Sequence, residues 1–290
     1  MKIIICLFVI FGLIFADQQL IDEVNSKQNL WIAGQTKFSS WSQDEIVAML
    51  GAKMKPGRTV RESEVVFDVP DSYDFDQDQA ACKGEILDQG KCGSCWTFGT
   101  ATSFTKRRCK LTQDYIAFSE QDLVSCDKDC DGCNGGFPFD ACQWVEEHGL
   151  VKSSCYPYTS GNGNSGWCKS KCVDGEDWKT YKMKSGSCKS YVNENEIQNT
   201  IYQDGPVCGT MIVYEDFMKY TGGVYKHISG EMLGGHAITI IGWGEDNGTK
   251  YWKVQNSWGE KWGEDGYFRI LRGTDECGIE AGADAGIPEI

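Results

Sequence analysis

The sequence predicts an α+β protein in which a helical first half precedes a strand-rich second half. Three observations carry this expectation. A long stretch with few helix breakers follows Cys95, and four strand-like apolar runs lie beyond residue 206. An Asn247-Gly248 turn between two of those runs predicts a β-hairpin. With 290 residues and 41% apolar residues, the chain is long enough for one large domain or two lobes with a substantial core.

Residues 1–16 have the pattern of a secretory signal peptide. Lys2 precedes an almost wholly apolar run from Ile3 to Ala16, which is too short to span a bilayer and ends on a small residue. No later stretch is long and apolar enough to serve as an anchor. We therefore expect the chain to enter the secretory pathway without a membrane anchor, bound for a lysosome-like or vacuole-like acidic compartment or for the extracellular space.

The cysteine content and the charge bear on the same route. Fifteen cysteines are present, of which Cys6 would leave with the signal peptide, and disulfides are the default state of the rest in an oxidising compartment. One nucleophilic thiol would leave an odd number, so at least one further cysteine should lie outside any intrachain disulfide. The net charge of −14 and the lack of a basic patch argue against nucleic acid and anionic membranes as partners. The acidity itself fits either solubility or residence in an acidic lumen.

Residues 17–68 contain no cysteine and are expected to form a separate unit. Short helices are predicted over Gln18–Asn25 and near Gln43–Leu50, and the sequence Lys55-Pro56-Gly57-Arg58 breaks the pattern. This stretch is too small to bury a core of its own, so we expect it to pack against the remainder of the chain.

The remainder of the chain divides into helices, loops and strands in that order. Helices are predicted over Trp96–Cys109, with Ser94 at or near its N-cap, and over Phe118–Cys126, Phe139–His148 and 196–203. Residues 156–190 are expected to be loops held by disulfides. Strands are predicted over Val207–Tyr214, His236–Trp243, Tyr251–Asn256 and Gly266–Leu271.

The run Cys92-Gly93-Ser94-Cys95-Trp96 places a thiol at the start of a predicted helix. A helix N-terminus favours an anion, and a neighbouring imidazolium also lowers a thiol pKa. His148 at a predicted helix end and His227 in a polar stretch, which we interpret as surface, are the weaker partners. His236 follows Gly234-Gly235 and opens an apolar strand that would hold its ring rigid, so it is the predicted base.

Two polar side chains complete the candidate site. Asn256 follows a predicted strand, and its amide oxygen could fix the tautomer of the His236 ring, with Trp258 covering the contact. The side chain of Gln89 and the backbone N–H of Cys95 are the candidate donors to an oxyanion. Considered alone, Gln89 and Asn256 are ordinary loop and turn residues. Their combination with a thiol and an imidazole favours acyl-transfer chemistry.

These motifs and their order resemble the papain family of cysteine proteases over nearly all of residues 69–290. The motifs are Gln89, the Cys92–Trp96 run, Cys133-Asn134-Gly135-Gly136, Gly235-His236-Ala237 and Asn256-Ser257-Trp258-Gly259. The resemblance implies a papain-like two-lobe fold, with a helical N-terminal lobe, a β-barrel-like C-terminal lobe and the active-site cleft between them.

The same resemblance implies a role for each candidate residue. Cys95 would be the nucleophile, His236 the general base and then acid, Asn256 the orienting group and Gln89 the oxyanion donor. The implied substrate-binding positions are Gly135, Gly136, Gly235, Trp258 and Gly282. Neither a metal nor a cofactor is implied.

Within that family the chain looks like cathepsin B. Leu30-Trp31-Ile32-Ala33-Gly34 resembles the short propeptide of that group, and Gly230-Glu231-Met232 and Cys277-Gly278-Ile279-Glu280 also match. The resemblance implies that 17–68 is an inhibitory propeptide removed near Asp68. Residues 69–290 would then be the peptidase domain, a monomer acting on protein or peptide substrates.

Two departures from cathepsin B change the expected activity. The occluding loop of cathepsin B carries a pair of histidines that bind the C-terminal carboxylate of a substrate, whereas the stretch from Cys155 to Cys168 has no histidine. We therefore expect an endopeptidase that lacks peptidyl-dipeptidase activity. Gly282 stands where cathepsin B has a pocket-floor glutamate that favours arginine two residues before the scissile bond. An apolar preference is expected there instead.

Analogy with the family also implies disulfides, and other hypotheses stay open. The implied pairs are Cys92–Cys133, Cys82–Cys109, Cys155–Cys172 and Cys126–Cys168, while Cys130, Cys142, Cys188, Cys208 and Cys277 have no assignment. The C-x-x-C spacings ending at Cys95 and Cys133 also occur in redox and zinc sites. A catalytically silent papain-like binding protein is a further alternative. Asn247-Gly248-Thr249 is a glycosylation acceptor as well as a turn, and its occupancy is open.

Overall fold

The computed structural model describes residues 17–54 and 68–290. The predicted signal peptide and the break at 55–58 lie outside these residues. The α-helices are α1 (17–27), α2 (Gln43–Met49), α3 (Phe75–Asp78), α4 (Cys95–Thr112), α5 (Glu120–Cys126), α6 (Pro138–Glu147) and α7 (Glu194–Asp204). Within the two described ranges, no helix combines the length and apolar character needed to cross a membrane.

Nine strands form one sheet among the described residues. They are β1 (Trp31–Ala33), β2 (Tyr73–Asp74), β3 (Lys189–Tyr191), β4 (Val207–Tyr214), β5 (Tyr220–Tyr225), β6 (Met232–Asp246), β7 (Thr249–Gln255), β8 (Tyr267–Leu271) and β9 (Ala283–Ala285). The strand order is β1-β5-β8-β7-β6-β4-β9-β3, and β2 pairs with β6. This path ends at β1 and at β3, so the expected C-terminal lobe does contain the sheet, but the sheet is not closed into a barrel.

The N-terminal segment, residues 17–54, packs on the sheet half of the molecule. Its strand β1 pairs antiparallel with β5, and a capping box between Ser42 and Glu45 starts α2. The segment contributes buried apolar residues to the same cluster as the sheet, namely Ile21, Val24, Trp31, Ala33, Phe38, Ile46 and Met49. The expectation that this stretch relies on a neighbour for its core is therefore confirmed.

Helix α4 is the centre of the helical half. It buries Trp96, Ala101 and Phe104 in a second cluster, which α5 and α6 complete with Leu123, Ala141 and Val145. The other face of α4 lies against β4 and β6, because Gly99 leaves room for the Cys208 side chain and the Ile238 carbonyl. The helix therefore joins the two halves, and its first turn lies between them.

The sequence predicts most elements within a few residues. Val207–Tyr214 matches β4, and Asp246 pairs with Thr249 across the predicted turn, with positive φ at Asn247 (49°) and Gly248 (82°). The strand beginning at His236 is longer than expected because it starts at Met232. Strands β1, β2, β3, β5 and β9 were not predicted.

Five disulfides cross-link the helical half. The four implied pairs, Cys82–Cys109, Cys92–Cys133, Cys126–Cys168 and Cys155–Cys172, are confirmed, and a fifth joins Cys142 to Cys188. Besides Cys95, the described cysteines Cys130, Cys208 and Cys277 are in none of these bonds. The prediction of at least one further thiol outside the disulfides is met by all three.

Candidate active site

Cys95 is the first residue of α4 and its side chain is fully buried. Ser94 occupies the N-cap position, as expected, but its hydroxyl does not cap the helix. It lies 2.8 Å from the Tyr158 hydroxyl, which in turn donates to the Gln89 carbonyl (2.8 Å). The predicted N-cap position is therefore confirmed, while the Ser94 hydroxyl bonds Tyr158 instead of the helix backbone. The first-turn N–H groups therefore have no side-chain acceptor from the N-cap.

His236 lies in β6 and is held from two sides. Its Nε2 donates to the Asn256 Oδ1 at 2.8 Å, and that oxygen also accepts the Ser257 N–H at 2.8 Å. The Trp258 ring stacks on the imidazole with centroids 4.6 Å apart. His236 and Asn256 are 0% and 3% exposed. The other ring nitrogen, Nδ1, is buried and has no hydrogen-bond partner among the described residues.

Gln89 is buried rather than an exposed loop residue. Its Oε1 accepts from the Ser257 hydroxyl at 2.7 Å, which turns the amide nitrogen the other way. That nitrogen donates to the Cys92 carbonyl (2.8 Å) and to the carbonyl of Met49 in the N-terminal segment (2.8 Å). The predicted oxyanion donor is thus bonded to a main-chain carbonyl of the segment.

Residues 51–53 of the segment run between two glycine walls. On one side, the Gly136 N–H donates to the Gly51 carbonyl (2.9 Å) and the Gly136 carbonyl accepts the Lys53 N–H (2.9 Å). On the other side, the Gly235 carbonyl accepts the Ala52 N–H (3.1 Å). A Cβ on Gly235 would lie 2.3 Å from the Ala52 oxygen, so only glycine permits this approach.

Gly135 belongs to the same wall. Its φ of 104° is a conformation that L side chains rarely adopt, and a Cβ there would lie 2.5 Å from the Gly51 oxygen. Gly51 is equally constrained, because a Cβ on it would lie 1.8 Å from the Gly93 carbonyl oxygen. The segment therefore lies against the cleft floor along its main chain.

Burial favours the neutral forms of both the thiol and the imidazole. Desolvation raises the pKa of Cys95 to about 11, although backbone N–H groups of Ala237, Gly51, Trp96 and Ala52 act in the opposite sense. Desolvation also lowers the pKa of His236 to about 4, against the hydrogen bond to Asn256. A lowered thiol pKa, as the sequence argument anticipates, is therefore not found in this covered arrangement.

The two other histidines and Gly282 have surroundings of their own. His148 is the C-cap of α6, as predicted. His227 is not a simple surface residue, because it stacks on Tyr214 and its Nδ1 lies 3.1 Å from the buried Asp216 carboxylate. Gly282 is buried immediately before β9.

Two residues that position the site were not predicted from the sequence. Ser257 contacts both Gln89 and Asn256, and Tyr158 anchors the loop beside Gln89. Ser257 belongs to the Asn256-Ser257-Trp258-Gly259 motif, which assigns no role to its hydroxyl. Its position between two polar candidates was the one available signal, whereas Tyr158 had none because its contact spans 69 positions.

Comparison with known proteins decides the family. The family model described as papain family cysteine protease matches residues 69–287. The chain belongs to the papain family of cysteine proteases. A gut-specific cysteine proteinase of Caenorhabditis elegans is 39% identical, with 93% of this chain and 90% of that protein covered. Cathepsin B-like CP3 of Giardia intestinalis is 37% identical over 90% of each chain.

A solved structure supports the same subgroup. Procathepsin B S9 from Trypanosoma congolense has a TM-score of 0.86 at 32% identity, and the match covers 93% of this chain and 97% of that one. The papain-like α+β fold is confirmed, and the chain is a cathepsin B-like cysteine peptidase. The Cys92–Cys133 disulfide uses one cysteine from each C-x-x-C motif. Neither motif therefore keeps the pair of thiols that a redox site or a zinc site would need.

Proposed function

We propose that the chain is the zymogen of a cysteine endopeptidase in which Cys95 is the nucleophile and His236 the general base. The observation that carries this proposal is the bond from His236 Nε2 to Asn256 beneath Trp258. That bond fixes the tautomer, so Nδ1 is the nitrogen left to exchange a proton with the thiol. Attack of the sulfur on a peptide carbonyl gives an acyl-enzyme, and His236 returns the proton to the leaving amine.

Gln89 and the Cys95 backbone N–H would stabilise the developing oxyanion. The Gln89 amide is already oriented by Ser257, so it needs no rearrangement when charge develops on the substrate oxygen. Removing one such donor in other enzymes lowers kcat by about 10²–10³-fold. Gln89→Ala should have an effect of this order with little change in KM.

The decisive experiment compares the processed wild type with Cys95→Ala on an internally quenched peptide. Hydrolysis by the wild type, its loss in Cys95→Ala and retained peptide binding by that variant are expected. Absence of hydrolysis by the processed wild type would instead favour the silent binding protein.

Residues 17–68 would act as an inhibitory propeptide, and 69–290 as the peptidase. Support comes from the Met49 carbonyl on Gln89, the Gly51 and Ala52 N–H groups at the Cys95 sulfur, and the neutral state of the catalytic pair under this cover. Gly51→Ala in the full chain should weaken inhibition, because the new Cβ meets the Gly93 carbonyl. Iodoacetamide should label Cys95 faster in Gly51→Ala than in the wild type. Val47→Ala, on the exposed face of α2, is the control and should leave the labelling rate unchanged.

The absence of peptidyl-dipeptidase activity remains our proposal for the substrate C-terminus. The loop between Cys155 and Cys168 has no histidine and is tied down by Tyr158 on Gln89 and by the Lys91 N–H on the Gly161 carbonyl (2.8 Å). Internally cleavable peptides should be hydrolysed, and release of a free C-terminal dipeptide should be far slower. Comparable rates would contradict the proposal.

Gly282 would leave the acyl-side pocket without a carboxylate, so we propose an apolar preference two residues before the scissile bond. A peptide library should show leucine or phenylalanine favoured over arginine there. Gly282→Glu should raise kcat/KM for the arginine substrate and leave kcat/KM for the apolar substrates unchanged. An arginine preference in the wild type would overturn the assignment.

The acidic compartment is likewise proposed, since the net charge of −14 and five disulfides fit a secretory route.

A further inference from the structure

Residues 51–53 of the N-terminal segment lie in the cleft, and two of its lysines pair with carboxylates at the edges of the cleft. Lys53 pairs with Asp131 next to the Gly136 wall. At the other end, the Lys37 ammonium lies 2.8 Å from the Asp88 carboxylate. Asp88 is the more informative of the two carboxylates because it directly precedes the predicted oxyanion donor, Gln89.

Asp88 belongs to the Trp258 side of the cleft. It forms an antiparallel bridge with Trp258, flanked by bonds from the Gln89 N–H to the Ser257 carbonyl and from the Gly259 N–H to the Leu87 carbonyl (both 2.9 Å). In the proposed function, the acyl part of a substrate lies along Gly136. Its leaving part therefore passes Trp258 and Asp88.

The segment occupies this side with two neighbouring residues. The Phe38 ring packs edge-on against Trp258, with centroids 4.9 Å apart, and the preceding Lys37 reaches Asp88. Two neighbouring residues, at the start of the 3-10 helix Lys37–Ser40, thus place an aromatic side chain on Trp258 and a basic one on Asp88.

The Asp88 side chain is held independently of Lys37. Its Oδ1 accepts the Gly90 N–H at 2.9 Å, and a Cβ on Gly259 would lie 2.9 Å from its Oδ2. The side chain is 48% exposed even with the segment in place. Loss of the segment therefore leaves an oriented, accessible carboxylate at the rim.

We propose that Asp88 is a specificity-determining residue that binds a lysine or arginine side chain on the leaving-group side of the scissile bond. The inference rests on the proposed endopeptidase function and names a feature of its substrates. Lys91, three residues after Asp88, pairs with Glu45 of the segment. A turn of Lys91 toward Asp88 after the segment leaves is the main alternative, and it would abolish the preference.

The test uses enzyme obtained by processing the full chain and a set of internally quenched peptides. The peptides differ only by lysine or glutamine at the first, second or third position after the scissile bond. At one position, the lysine peptide should have a kcat/KM about two to five times higher, the range of an exposed ion pair. The gain should be in KM, because the contact is equal in ground and transition states.

Asp88→Asn keeps the oxygen that accepts the Gly90 N–H and should bring the lysine-to-glutamine ratio close to one. Asp114→Asn is the matched loss of charge and should keep the ratio. Asp114 lies beyond the far end of α4, about 27 Å from Cys95 by the rise of an 18-residue helix. Added salt should shrink the wild-type ratio.

A wild-type ratio near one, a ratio that survives 1 M salt, or a ratio unchanged in Asp88→Asn overturns the inference. The first two outcomes need no variant. Hydrolysis of every peptide without a preference would defeat only this inference, whereas hydrolysis of none would overturn the proposed function and this inference with it.

Discussion

The two halves of the cleft are held together by different means. All five disulfides lie between Cys82 and Cys188, where several small apolar clusters surround helices and loops. The sheet half, after residue 188, has none of these cross-links within its described residues and buries one large cluster rich in aromatic rings instead. The thiol therefore comes from a cross-linked half, and the imidazole from a half stabilised by packing. Substitutions that remove packing should therefore act mainly on the sheet half, and substitutions that remove a disulfide should act mainly on the helical half.

The largest effect is expected from Phe217→Ala in the sheet half. The fully buried Phe217 ring contacts Tyr220, Tyr225, Trp258, Trp262 and Phe268. Its truncation should cost about 3–5 kcal/mol in the free energy of unfolding. Urea unfolding measures this, and kcat should also fall because Trp258 loses support over His236. Trp167→Ala, at a side chain 89% exposed, should change stability by less than about 0.5 kcal/mol. Equal losses in the free energy of unfolding for the two variants would contradict a dominant role of packing in the sheet half.

A charge buried in the helical half gives the next largest effect. Desolvation raises the pKa of Glu120, 6% exposed on α5, from 4.5 to about 7. The folded state then binds more protons than the unfolded state between these values, so stability falls as pH rises through that window. The total loss is about 3 kcal/mol at most.

Glu120→Gln should remove this pH-dependent loss, so the variant gains on the wild type between pH 4.5 and pH 7. Urea unfolding across that range measures the difference, with the exposed Glu147→Gln as control. His236 in the other half acts in the opposite sense. Its pKa is lowered from 6.5 to about 4, so its contribution is lost as pH falls through that range. A difference profile that is flat for Glu120→Gln would contradict the assignment.

Removal of one cross-link should have a similar or slightly smaller effect. The Cys155–Cys172 disulfide spans 17 positions, and Cys155→Ser with Cys172→Ser should lower stability by about 3 kcal/mol. Because the loop carries Tyr158, catalysis should weaken as well. Cys277→Ser in the sheet half, outside any disulfide, is the control and should cost much less. If the double variant has the same free energy of unfolding in urea as the wild type, packing alone stabilises this half.

The smallest effect concerns the contact between Lys91 and the segment. The hydrogen bond from Lys91 lowers the pKa of Glu45 below 4.5, so its contribution to segment binding is present above that pH and is lost as pH falls. Glu45→Gln preserves the capping box and should modestly speed Cys95 labelling at neutral pH, with a weaker acid dependence than the wild type. The neighbouring Asp44→Asn should match the wild type; an equal change there would point to helix charge instead.

The same contrast explains what the sequence could predict. Val207–Tyr214 and the turn at Asn247-Gly248 are local patterns of alternation and positive φ, and they were found nearly to the residue. Strand β5 contains Gly222 and Gly223 and exists because β1 and β8 pair with it from distant parts of the chain. Such pairing leaves no local signal.

The candidate site follows the same rule. Cys95, His236, Asn256 and Gln89 stand in short motifs, and their types suggested one chemistry. The Ser94 hydroxyl, the Tyr158 anchor and the Asp216 contact of His227 depend on partners far away in the chain. The pKa directions of Cys95 and His236 depend on the burial of both groups in the folded chain, which the motifs do not reveal.

Strand β1 has a consequence for the proposed maturation. It covers one side of β5, and Trp31 fills the space against Tyr220 and Tyr225. If residues 17–68 are removed as proposed, the peptide groups of β5 on that side must bond water or another chain, and Tyr220 and Tyr225 lose their contact with Trp31. The strand is short and contains two glycines, which makes it a poor template for growth. The processed protein should nonetheless self-associate more readily than the full chain. The N-terminal segment would then preserve solubility as well as inhibit the peptidase.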